Sequence, residues 1–78
     1  MFEYKTRPVG PLLIEFNSET GTRVWLDFWR IESIYEIAKP TDKAKTTITM
    51  QTGGGWVLSD DIAEVVKRIN KAVVSHGS

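Results

Sequence analysis

The strongest alternation of apolar and polar positions falls in residues 45–73. Thr46, Ile48 and Met50 alternate with Thr47, Thr49 and Gln51. That pattern predicts a strand with one buried face, and its β-branched residues favour the same reading. Thr52, Gly53, Gly54 and Gly55 follow and predict a hairpin turn, because glycine reaches positive φ without steric cost. Trp56, Val57 and Leu58 return as the partner strand. The period then changes. Ile62, Val65, Val66, Ile69, Ala72 and Val73 recur at spacings of three and four, which makes one apolar stripe along a helix. Ser59, Asp60 and Asp61 mark its start, with Asp61 and Glu64 at capping-box spacing. Acidic Asp60, Asp61 and Glu64 precede basic Lys67, Arg68 and Lys71, an order that complements the helix dipole. Gly77 and the polar end stop the helix or fray from it, so residues 1–75 form one domain and 76–78 a flexible tail.

The earlier chain reads as strands and turns. Phe2 and Tyr4 alternate with Glu3 and Lys5, which suggests a short edge strand over residues 2–6, ended by Pro8 and Pro11. A nearly continuous apolar run over 12–16 predicts a second strand. The cluster from Asn17 to Gly21 predicts a turn. Residues 22–27 return as the partner, with Val24 and Leu26 on one face and Trp25 and Asp27 on the other. The alternation loses phase from Asp27 to Arg30, which reads as a bend or one short helical turn. Residues 31–38 then read as a strand, with Ile31, Ser33, Tyr35 and Ile37 in one row and Glu32, Ile34, Glu36 and Ala38 in the other. A helix is the alternative there, because Ile31, Ile34, Tyr35 and Ala38 also match a three-four spacing. Residues 39–45 form a polar connection. The expected fold is α+β: a four- to six-stranded, mostly antiparallel meander sheet with one C-terminal amphipathic helix packed on one face.

Composition narrows the function. A chain of 78 residues is one small domain with a thin core, which raises the prior for association. It has no cysteine and one histidine, so neither a disulfide nor a structural zinc site is expected. Ten basic and ten acidic residues cancel, which argues against a dedicated nucleic-acid or membrane-surface binder. The N-terminal residues lack the apolar run of a signal peptide, and no stretch reaches membrane-spanning length. The expected location is the cytoplasm.

Residues 21–70 resemble the FlbD-type family of short flagellar and swarming-motility proteins. The matching parts are Gly21; Val24 and Leu26; Asp27; Ile31, Glu32 and Ile34; Thr47 to Met50; Thr52 and Gly53; and Ile62, Val65, Val66 and Ile69. The chain departs from that pattern in its added N-terminal strand, its longer loop at 39–45, its third turn glycine and its three tryptophans. The resemblance implies a meander closed by a capped helix, and a bacterial motility role. LytTR-type DNA-binding domains and some small phage and plasmid proteins share the strand–turn–strand–helix ending.

Candidate chemistry is sparse. His76 lies in the expected tail, and Ser18 and Ser59 have better uses in a turn and a cap, so no catalytic set assembles. Asp60, Asp61 and Glu64 suit a helix start better than a hard cation. Glu32 and Glu36 read as a solvated pair. A strand follows Gly53, Gly54 and Gly55, where a phosphate loop needs a lysine and a helix. No cofactor or metal is expected. The informative residues are aromatic: Trp25, Trp29, Tyr35 and Trp56 are candidates for an association face, since tryptophan is enriched at interface anchors. The expected function is therefore a non-enzymatic protein-binding adaptor or regulator that forms homo-oligomers through an aromatic sheet face. The alternative is a nucleic-acid-binding regulator of phage or mobile-element origin. It would use Lys39, Lys43 and Lys45 of the loop with Lys67, Arg68 and Lys71 of the helix.

Overall fold

The nearly continuous apolar run after Pro11 folds as β1 (Leu13–Asn17), which pairs antiparallel with β2 (Arg23–Asp27). Ile14 lies opposite Leu26 and Phe16 opposite Val24, so these four apolar residues share one face. The connecting turn closes through Ser18 N–H to Thr22 C=O (2.8 Å) and Gly21 N–H to Ser18 C=O (3.0 Å). Gly21 stands at φ 87°, a conformation other residues rarely take. The computed structural model describes residues 10–77. The strand expected over 2–6 lies outside them.

The loss of phase after β2 is a 3-10 turn, Phe28–Arg30. Asp27 caps it, its Oδ1 accepting from Trp29 N–H (3.1 Å) and from Leu12 N–H (3.2 Å). The chain leaves the turn as β3 (Ile31–Glu36), a strand and not the alternative helix. β3 pairs with β4 (Thr46–Met50), and β4 with β5 (Gly55–Leu58), all antiparallel. Pairing shifts between Ile31 and Ser33. This bulge explains why the simple alternation fails. Ile31 packs against the core with Ile34, whereas Ser33 and Tyr35 face out. Gly53, at φ 104°, allows the turn between β4 and β5 to close through Met50 N–H and Gly54 C=O at 2.8 Å.

The expected single meander sheet is divided in two: β1–β2, and β3–β4–β5. An isolated bridge between Ser18 and Leu58 joins them, flanked by Glu19 N–H to Val57 C=O (2.9 Å) and Ser59 N–H to Asn17 C=O (2.8 Å). The 3-10 turn is the physical cause. It redirects the chain between β2 and β3, so these consecutive strands do not pair, and the two sheets fold over a shared interior. The interior holds Ile14, Phe16, Leu26, Ile48 and Leu58.

The C-terminal helix α1 (Ile62–Gly77) closes it, inserting Val65, with Ile69 and Ala72 packed beside it. Asp61 caps α1 by accepting from Glu64 N–H at 2.8 Å. The helix runs through Gly77, two residues beyond the expected domain end. Its apolar stripe is narrower than the spacing suggested, because Val66 and Val73 remain exposed. Among the described residues, no helix is long and apolar enough to cross a membrane.

Candidate interaction surface

Strand alternation sets the exposed aromatic groups. With Val24 and Leu26 turned inward, Trp25 must point out, and it is 55% exposed. It lies opposite Glu15 on the outer face of β1–β2, next to exposed Leu13, which lies opposite Asp27. Arg23 completes this face, its guanidinium 3.3 Å from Glu15. The result is an apolar centre between opposite charges.

The other aromatic candidates are placed elsewhere, which corrects the expectation of one aromatic sheet face. Tyr35, 51% exposed, lies level with Thr47 and Val57 on the outer face of the second sheet. Trp56 lies level with buried Ile48 and with Ile34, on the inward side of that sheet, yet is 41% exposed. Trp29 is half-buried within the 3-10 turn, edge-on to Phe28 with ring centres 5.1 Å apart. Three directions are thus represented. The face containing Trp25 is the one where an exposed aromatic and a second exposed aliphatic group, Leu13, adjoin.

A polar seam holds the helix against the same sheet. β1 leaves its open edge near Asn17, Glu15 and Leu13. Asp60 accepts from Asn17 N–H (2.7 Å) and Asn17 Nδ2 (3.0 Å). Arg68 donates from Nη1 to the Glu15 carbonyl (2.8 Å) and from Nε to Glu64 (2.8 Å), with Nη2 3.7 Å from Asp60. The Glu64 hydrogen bond chiefly raises the Arg68 pKa above the ordinary arginine range; burial opposes this, and the charges of Asp60, Glu64 and Glu15 reinforce it. Thr46, fully buried, donates to the Asp60 carbonyl at 2.7 Å. Asp60 was legible as a helix-start residue, but its bond to Asn17 spans 43 positions, and no local spacing signals it. Asp60 and Asp61 therefore have separate tasks, one on β1 and one on the helix cap.

The basic candidates are dispersed. Lys39 and Lys43 are exposed in the connection from β3 to β4. Lys45 lines a depression with Glu36, Asp42 and Asp61, an acidic setting. Lys67 and Lys71 are exposed on α1, and Arg68 is engaged in the seam. Lys71 lines a groove of about 380 Å³ beside Leu13, Glu15 and Ala72.

The chain is thus an α+β domain of two small antiparallel sheets closed by a C-terminal helix, with Trp25 and Leu13 exposed on its first sheet. Set against models of known protein families, curated proteins and solved structures, it matches none of them. Nothing in these comparisons bears on the FlbD-type resemblance.

Proposed function

We propose that this protein is a small non-enzymatic protein-binding module that self-associates through the outer face of β1–β2. The observation behind this reading is the exposure of Trp25 beside Leu13, on a sheet whose other face is already buried. An aromatic anchor flanked by aliphatic surface and rimmed by charge has the make-up of an interface centre. A thin core adds to the case, since small domains without staples gain burial by association. Tyr35 and Trp56 are secondary candidates on separate surfaces. The nucleic-acid reading has weaker support, because Arg68 is already bonded to Glu64 and Glu15 and Lys45 sits among carboxylates.

Iodide quenching of tryptophan emission combined with light scattering tests the proposal. The expected result is accessible emission at low concentration that becomes shielded as mass rises. A monomer at all concentrations with every tryptophan shielded would sink it.

A further inference from the structure

An open strand edge displays unpaired N–H and C=O groups that another chain can pair with, so each edge here must be closed or protected. The open edge of β1 is closed by Ser59 N–H on Asn17 C=O, Asp60 on Asn17 N–H and Arg68 on Glu15 C=O. The outer edge of β3 is protected by charge. Ile37 N–H bonds Lys45 C=O at 3.0 Å, so by alternation Ile34 and Glu36 turn their backbone groups outward. Two β3 strands paired antiparallel about Ile34 would set Glu32 against Glu36 at both ends, like charges directly opposite.

β2 has neither device. Ser18 N–H to Thr22 C=O and Phe28 N–H to Leu12 C=O, both 2.8 Å, bracket its pairing with β1. Even-numbered residues therefore face β1, and Arg23, Trp25 and Asp27 turn their N–H and C=O groups away. Among the described residues, none pairs with that edge.

We propose that β2 pairs antiparallel with β2 of a second copy, centred on Trp25, to form a continuous four-stranded sheet ordered β1–β2–β2–β1. This rests on the self-association reading above and places the contact at the β2 edge, with Trp25 of the two copies adjoining on one continuous outer face. In that register Trp25 meets Trp25 of the second copy, and Arg23 of each copy lies opposite Asp27 of the other. The strand sequence Arg-Val-Trp-Leu-Asp is complementary to itself about a twofold axis, which is what an isologous contact requires. Asp27 Oδ1 is committed to Leu12 and Trp29, while Oδ2, 3.4 Å from Arg30 Nε, is the oxygen that an incoming guanidinium meets. Arg23 and its present partner Glu15 are both well exposed, so Arg23 is free to turn. A five-residue edge with one aromatic pair is a small contact and belongs with transient interfaces.

The test is sedimentation of the full chain across about 10 to 500 μM, a range suited to weak association. The wild type should dimerise. Trp25→Lys and Trp25→Glu should each weaken self-association by about 30-fold or more, since each sets like charges on the axis. An equimolar mixture of the two should restore the dimer, which only residue 25 facing itself explains. Arg23→Pro, which removes an N–H that points away from β1, should also abolish pairing while leaving the circular dichroism spectrum unchanged. Association that persists in both Trp25 variants overturns the β2 register and leaves self-association standing. A wild-type monomer across the whole range overturns both this dimer and the self-association reading; emission still quenched by iodide would then leave only an exposed face for a different protein.

Discussion

Asp60 shows how much one side chain decides here. Its carboxylate accepts both the backbone and the side-chain N–H of Asn17 and lies against Arg68, while its side chain is only 8% exposed. Asp60→Ala should cost about 2–4 kcal/mol in urea unfolding, because it removes charge-assisted bonds and leaves the part-buried Asn17 N–H unpaired. A double-mutant cycle with Arg68→Met should give a favourable coupling of about 0.5–2 kcal/mol. A coupling near zero would show that the two act separately. Gly53→Ala should cost about 1 kcal/mol, since φ 104° is strained for any side chain, whereas Gly54→Ala, with open space around it and no positive φ, should change stability little.

At the scale of elements, the helix supplies what the sheets lack. Val65 fills the interior, and Arg68 satisfies a β1 carbonyl that has no strand beside it. Asp61→Ala removes the cap at Glu64 N–H and should cost about 1 kcal/mol by thermal unfolding. Val65→Ala should cost about 1–3 kcal/mol, whereas Val66→Ala, two-fifths exposed, should cost under about 0.5 kcal/mol. Equal effects from these two would contradict the observed rotation of the helix. The raised pKa of Arg68 has a definite sign. Its contribution is fully present below the ordinary arginine range and fades only as pH climbs past it, so stability near neutral pH does not depend on this titration.

Over the whole molecule, two sheets share one interior and, among the described residues, meet at the bridge between Ser18 and Leu58. Unfolding should therefore be cooperative, with no separate melting of the first sheet. Phe16→Ala, in the β1–β2 sheet, should lower stability by about 3–5 kcal/mol and loosen both sheets together in hydrogen exchange. Loss of protection confined to β1 and β2 would show that the two sheets are independent units.

The sequence by itself determined most of the elements. Periods of two and of three or four located β2, β4 and the helix, apolar runs beside turn signals located β1 and β5, and the phase loss after Asp27 located a bend or short helical turn. Residues 31–38 stood between strand and helix, and Ser59 to Asp61 marked the helix start without deciding which of them caps it. The outward direction of Trp25 was legible too, because it stands between two apolar neighbours in a strand. The bulge at Glu32 was not, because it depends on how β3 registers against β4 and not on the composition of β3. Nor was the division into two sheets, which depends on which edges meet after the chain bends. Tertiary structure alone decided that Trp25, Tyr35 and Trp56 look in different directions, and that Asp60 and Arg68 belong to β1 as much as to the helix. Periodicity reports which side of its own element a residue occupies. What lies on that side is set by contacts between residues distant in the chain.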